Sequence, residues 1–346
     1  MRKDKLYLRY LLTLISIGIL FLFIWWANGH LDNYSKRVLT VSGIYIILGV
    51  SLNLINGITG IFSLGHAGFM GLGAYTAALL TMSVAQKQMT FFIEPLISPL
   101  DKISIPFLPA LLIGGLVAAF FGLLIGIPTL RLGGDYLAIA TLGFGEIIVV
   151  VFNNTINITN GALGLKGLVP YTNLWWTYGW VVFTVFFIAR LVNSSYGRAL
   201  KAIRENEVAA EAMGVNLFYH KVLSFIVGAF FAGIGGGLLA HLLTTINPVA
   251  FNFFLTFNVL IIIVIGGLGS ITGSVIAGFL FPILLEWLRF IEAPMNIFGL
   301  HIPGIPGMRM VVFSLLLLIV MIFYQRGLMG RNEFSWDFII KRLAKD

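Results

Sequence analysis

Of 346 residues, 59% are hydrophobic and only 10% charged, against roughly 45–50% and 25% in soluble domains, so a soluble globular protein is excluded and an integral membrane protein is indicated. The net charge of +8 does not point to nucleic acid, because the Lys and Arg residues flank apolar segments and form no basic groove interleaved with aromatics. With no cysteine in the chain, disulfides and thiolate chemistry are excluded as well.

The basic start MRKDKLYLRY runs into an apolar stretch without a small-x-small cleavage site before Trp25 and Trp26, so it reads as a retained first span. Apolar segments then predict membrane helices at 10–27, 38–56, 67–83, 107–130, 136–152, 175–192, 222–243, 254–267, 271–290 and 310–324. The expected fold is one all-α transmembrane domain over residues 1–346, a polytopic bundle of about ten transmembrane helices. Several segments fall short of the roughly 20 residues that an upright helix needs, which predicts short, broken or re-entrant members. With the N-terminus inside, outer segments hold Lys36, Arg37, Lys87, Lys102, Lys166, Arg289 and Arg309, and the other fifteen of 22 Lys and Arg are inside. The positive-inside rule therefore places both termini and the 194–221 loop in the cytoplasm. Trp25, Trp26, Trp175, Trp176, Tyr178, Trp287 and Tyr324 lie near span ends, where an interfacial aromatic belt belongs.

Two stretches are dense in glycine, GITGIFSLGHAGFMGLGAY at 57–75 and GGLGSITGSVIAG at 266–278. At an offset of about 207 positions, Gly60, Ser63 and Gly71 align with Gly267, Ser270 and Gly278, the pattern of an internal repeat whose broken segments meet near the midplane. Close helix packing through small residues accounts for the same glycines. In the first stretch a helix break brings Ser63, Gly65 and His66 together, so a backbone terminus, a hydroxyl and an imidazole would converge where a polar solute passes, with a packing or capping histidine as the competing reading for His66. Asn53, just upstream, joins them as a candidate for the path. Glu146 stands inside the fifth span, where an ionisable group is costly and faces either a partner or a watery cavity. A structural helix-to-helix bond fits Glu146 equally well. Asp135 is placed to cap that span.

The segment 194–221, SSYGRALKAIRENEVAAEAMGVNLFYHK, is the longest polar-faced helical run in the chain. Asn206 is an N-cap, Glu207 opens the first turn, and Gly214 supplies a left-handed stop, giving a helix of about two turns. Ala209, Ala210 and Met213 leave it slim. Both a docking helix and a helix lying on the membrane surface satisfy this pattern. No G-x-x-x-x-G-K-[ST] occurs, so the chain has no P-loop of its own; no H-E-x-x-H, Cys/His cluster or G-x-S-x-G occurs either. No catalytic residue, metal site or bound cofactor is therefore expected.

Three separated blocks carry a resemblance. Residues 56–75 match NGxTGxxSLGHAxFxxxGAY; residues 131–147 read RLGGDYLAIATLGFGEI and are followed by NNTINITNGALGLKGL; residues 197–216 read GRALKAIRENEVAAEAMGVN. From residue 38 to 324 the chain resembles the branched-chain amino-acid permeases of ATP-binding-cassette importers, and 194–221 resembles their cytoplasmic "EAA" coupling loop. Ala209, Ala210 and Gly214 match that short motif, whereas Val208 stands at its first position with Glu207 one residue early. Asn160, Gly161, Ala162, Leu163 and Gly164 depart from the family's Gly-Gly-Pro-Asn-Gly core, at a loop that would face a solute-binding protein.

The resemblance implies a non-enzymatic permease subunit in a bacterial inner membrane. ATP would be used by separate cytoplasmic ATPase subunits that seat the loop through Arg204, Glu207, Ala209, Ala210, Met213 and Gly214. The other partners implied are a second homologous permease and an extracytoplasmic protein delivering leucine, isoleucine or valine. Candidates for the path remain Asn53, Ser63, Gly65, His66 and Glu146. Urea or short-amide permeases carry similar motifs, and an ion-coupled secondary transporter using Glu146 and His66 is the reading from a different class.

Overall fold

Runs this apolar satisfy their backbone groups internally only as helices or closed barrels, and this chain uses helices. The computed structural model describes residues 2–132, 134–292, 295–297, 300–302, 307–323, 326–330 and 332–334. Tyr324 and the C-terminal residues 335–346 lie outside the described residues, and with them the placement of the C-terminus. In chain order the helices are α1 (Arg2–His30), α2 (Asn33–Asn53), α3 (His66–Thr81), α4 (Val84–Thr90), α5 (Phe107–Thr129), α6 (Asp135–Asn154) and α7 (Ile156–Thr159). They continue with α8 (Leu174–Val192), α9 (Ser195–Glu205), α10 (Glu207–Ala212), α11 (Leu217–Leu243), α12 (Phe253–Gly266), α13 (Ile271–Trp287) and α14 (Met308–Phe323). A π-helical turn, Leu54–Ile58, prolongs α2.

Each of the ten apolar segments is helical, but their lengths differ. Among the described residues eight helices are long and apolar enough to cross a membrane, or nine if α3 and α4, bent by 120°, form one broken span. The tenth, α14, has 16 residues. Asn173, Asn206 and Asn216 cap α8, α10 and α11 by accepting backbone N–H bonds at 3.0 Å. Asp135 is itself the first residue of α6, and Gly134 holds the capping position with φ +57°. Tyr178 is not a belt residue: it is buried and donates its hydroxyl to Leu39 O at 3.2 Å.

α3, α11 and α5 form the centre, with α2 and α13 packed beside them. Backbone meets backbone there because glycines remove the side chains: a Cβ on Gly73 would fall on the Gly233 backbone, and one on Gly114 would stand 2.8 Å from Gly73 O. A Cβ on Gly236 would collide with the Met70 carbonyl, whereas one on Gly179 of α8 meets nothing within 4 Å. Gly236→Val is accordingly expected to destabilise the bundle by about 3 kcal/mol or more, the upper end for overpacking, and Gly179→Ala to be neutral. Thermal unfolding of the purified variants in detergent measures both, and an unchanged melting temperature for Gly236→Val would refute the tight crossing.

The helix directions divide the bundle into two ends. At one end lie α9, α10, the C-terminal ends of α2, α5, α8 and α12, and the start of α13. Residues 326–334 dock there too: Leu328 N and Met329 N donate to Ile265 O and Gly266 O at 2.7 and 3.1 Å. The carboxylate of Glu333 accepts from the first turn of α13 at Ile271 N (2.6 Å) and Thr272 N (3.0 Å). At the other end a two-residue antiparallel ladder joins β1 (Leu165–Lys166) to β2 (Thr245–Ile246). The hairpin of β3 (Met295–Ile297) and β4 (Leu300–Ile302) pairs Met295 with Ile302.

Candidate functional site

α10 stands at the tip of one end of the bundle. Asn206 Oδ1 accepts from Ala209 N at 3.0 Å to start it, and Gly214, at φ +83°, turns the chain towards α11. Val215 N donates back to Ala210 O at 3.0 Å and closes the turn. Glu207 anchors the first turn through an ion pair with Lys221 at 2.6 Å. Glu207, Val208, Ala209, Glu211, Met213 and Gly214 all face outwards, with Val208 78% and Met213 84% exposed. Ala210 is buried against the chain's own body, so it is a support for the helix while its neighbours form the outer surface.

Arg204 joins that tip to the spans. Its Nη1 donates to Gly57 O at 2.9 Å, satisfying a carbonyl that the end of the π-helical turn leaves without a helical partner, and its Nη2 pairs with Glu205 at 2.8 Å. Two glycines make room for the side chain: a Cβ on Gly60 would stand 2.8 Å from Arg204 Cγ, and one on Gly269 2.5 Å from Nη1. Gly60 and Gly269 also need their positive φ values of +80° and +93°. Gly269 N in turn donates to Asn53 Oδ1 at 2.8 Å, and Asn53 Nδ2 donates to Ser270 O and Ser274 Oγ, both at 2.8 Å. Asn53 is thus fully engaged and buried, a tie between α2 and α13. A cavity of about 710 Å³, lined by Asn56, Gly57, Gly60, Arg204, Leu268 and Arg326 among others, opens beside this joint.

Deeper in the bundle, two helix N-termini meet the middle of α6. The loop 59–65 doubles back along α2, so α3 starts inside the bundle: His66 Nε2 lies 3.0 Å from Ser51 Oγ, whose own proton goes to Leu48 O at 2.9 Å. The buried Nδ1 of the same ring has no hydrogen-bond partner among the described residues. Asn56 clamps the same loop by bonding Ser63 N and Ser63 O, both at 3.2 Å. Gly65 lies against α6 so closely that a Cβ would stand 2.6 Å from Thr141 O.

Threonines cap these interior ends: Leu64 N donates to Thr141 Oγ1 and Ala67 N to Thr256 Oγ1, each at 3.0 Å. From the opposite side α12 begins beside α6, where Phe253 N donates to Glu146 Oε1 at 3.0 Å. Gly65 and Glu146 thus lie at the junction of α3, α6 and α12, whereas Ser63 is bonded to Asn56 and His66 to Ser51 beside α2, and Asn53 ties α2 to α13. The gap between α3, α6 and α12 has no room for a water molecule, so the junction is shut. Sequence reasoning missed Thr141 and Thr256; the signal that would have found them is a hydroxyl inside an apolar helix facing a segment whose N-terminal N–H groups need acceptors.

Residues 34–321 match the family described as "Branched-chain amino acid transport system / permease component". The chain is 33% identical over 332 residues to the high-affinity branched-chain amino acid transport system permease protein LivM of Salmonella typhimurium, covering 86% of this chain and 72% of that one. It is 26% identical to the probable LivM of Methanocaldococcus jannaschii, covering 85% of this chain and 92% of that one. The permease LivH of Escherichia coli is 33% identical over a shorter stretch, 30% of this chain and 35% of its own. No solved structure matches. A family match across both glycine-rich stretches, α6 and the α9–α10 tip leaves one assignment: the chain is a member of the permease-component family of branched-chain amino acid transport systems.

Proposed function

We propose that this chain carries branched-chain amino acids across a bacterial inner membrane as one permease of an ATP-driven importer, powered by separate ATPase subunits that grip α10. The observation that carries the reading is the build of the tip. α10 presents two exposed apolar residues, Val208 and Met213, to the outside, while Arg204 at its base is bonded to the end of the α2 extension at Gly57 and lies against Gly269 in the α12–α13 turn. Exposed apolar residues on a short, firmly capped helix suit a partner's groove. In this reading the α10 end faces the cytoplasm with the N-terminus and, by the distribution of Lys and Arg, the C-terminus. A second homologous permease would complete the path, and an extracytoplasmic binding protein would deliver the solute at the β1–β2 end.

Nucleotide-driven closure of the ATPases would displace α10, and the Arg204 joint would pass that displacement to α2 and α13, opening the shut junction of α3, α6 and α12. Copurification of the tagged chain identifies the subunits bound to it. A panel of leucine, isoleucine, valine and urea, offered to the reconstituted complex with and without ATP, tests the rest. ATP-dependent uptake of the branched-chain amino acids is expected. Uptake by the chain alone on an ion gradient, or of urea only, would refute the proposal.

A further inference from the structure

Of the basic residues that the charge distribution leaves on the outer side, Arg37 and Arg289 line one cavity of about 410 Å³ between the start of α2 and the end of α13. Lower down the two helices cross tightly: a Cβ on Gly278 would stand 2.9 Å from Ile46 Cα, and the rings of Tyr45 and Phe281 meet at 5.5 Å. One turn further out, Pro282 sits inside α13 and has no N–H for the helical ladder. From there outwards the helices leave a groove between them, and its lining is sorted by depth. Tyr34, Arg37 and Val41 follow one face of α2 at spacings of three and four, as do Pro282, Glu286 and Arg289 on α13. α2 starts at this end of the bundle and α13 finishes there, so the polar groups stand at the mouth while Val41 and Pro282 lie deepest, about 10 Å of helix separating Tyr34 from Val41. The exposed rings of Tyr34 and Trp287 mark the level of the lipid headgroups. At the mouth Glu286 already accepts from the Tyr34 hydroxyl and from Arg289 Nη1, the latter at 3.0 Å. Arg37 is exposed and has no hydrogen bond or ion pair among the described residues. Two guanidinium groups against one carboxylate leave the lining with a positive charge in excess.

We propose that this groove binds one anionic phospholipid of the outer leaflet. Arg37 and Arg289 donate to its phosphodiester, and an acyl chain descends over Val41 and Pro282. The single negative charge of such a lipid balances the mouth, whereas a zwitterionic lipid brings an ammonium group that the engaged Glu286 does not serve. A free anion would leave the apolar slot uncovered, and an apolar helix of a partner would bury Arg37 without a counter-charge. The lipid holds apart, at one end, the two helices that Asn53 ties together at the other.

Native mass spectrometry and thermal unfolding of the purified full chain in detergent, offered phosphatidylglycerol, phosphatidylethanolamine or glycerol 3-phosphate, test the site. The wild type is expected to retain one phosphatidylglycerol when the detergent is stripped away and to melt about 5 °C or more higher in its presence; the other two probes are expected to do neither. Arg37→Gln takes no bond from the fold and is expected to weaken that retention about tenfold or more, with Arg37→Lys between. Val41→Trp fills the slot without touching a charge, and is expected to lose the lipid while melting like the wild type in detergent alone. Equal retention of phosphatidylethanolamine overturns the anionic preference, and binding of glycerol 3-phosphate alone overturns the lipid. Unchanged phosphatidylglycerol retention in Arg37→Gln overturns the site whether or not Val41→Trp folds. Loss of a copurifying permease from Val41→Trp overturns it too, by giving the groove to a protein.

Discussion

Arg204→Ala is expected to leave the permease folded and bound to the ATPase subunits proposed above while cutting ATP-driven uptake at least tenfold. The side chain holds three things at once: the Gly57 carbonyl at the end of α2, Glu205 on its own helix, and the surfaces of Gly60 and Gly269. Alanine removes a charged hydrogen bond of about 1.5–3 kcal/mol and the packing around it, but it takes nothing from the α3–α5–α11 centre. The damage is therefore local. α10 would still be gripped, yet its displacement would reach only α9 and α11, so ATP would be hydrolysed without solute movement. Arg204→Lys is expected to fall between, because one ammonium cannot reach Gly57 O and Glu205 with the guanidinium's geometry. Parallel measurement of ATP hydrolysis and leucine uptake in proteoliposomes decides the matter. Undiminished uptake in Arg204→Ala would show that force enters the spans by another route.

The sequence made the membrane helices plain, since apolar runs of this length have no other stable form in a bilayer. Asn206 and Gly214 were legible as the two ends of α10 for an equally local reason, a side-chain acceptor at one end and a residue free to take positive φ at the other. What stayed hidden depends on register or distance. α10 is six residues long, too short for periodicity to say that Ala210 faces inwards and Ala209 outwards. Asn53 looked like a polar group on the path because its partners, Gly269, Ser270 and Ser274, lie more than 200 positions downstream. Gly143 and Gly145 look alike in TLGFGE, yet one faces open space and the other would place a Cβ 3.5 Å from Gly65 Cα. That α3 and α12 both begin inside the bundle follows from where their first N–H groups find acceptors, and those acceptors belong to other helices.

Gly214→Pro is expected to abolish uptake, and it probes the other end of the transmission. Gly214 has φ +83°, whereas proline is fixed near −65°. Proline also lacks the N–H that here donates to Glu211 O at 2.9 Å. It further pushes the preceding residue towards extended backbone, and Met213 sits at φ −85°, ψ 8°. The turn would have to open, the Val215 N to Ala210 O bond would be lost with it, and the exposed Met213 would shift relative to α10. Nothing packs within 4 Å of a Cβ at this position, so the effect is on the backbone alone. Gly214→Ala supplies the control, because alanine enters the left-handed region at a cost of about 1–2 kcal/mol and adds no clash. It is expected to keep most of the uptake, while the proline variant stays in the membrane but copurifies with far less ATPase. Equal transport by the two variants would mean that the shape of the α10 turn does not matter to the ATPases, and the drive would have to be sought elsewhere on that end of the bundle.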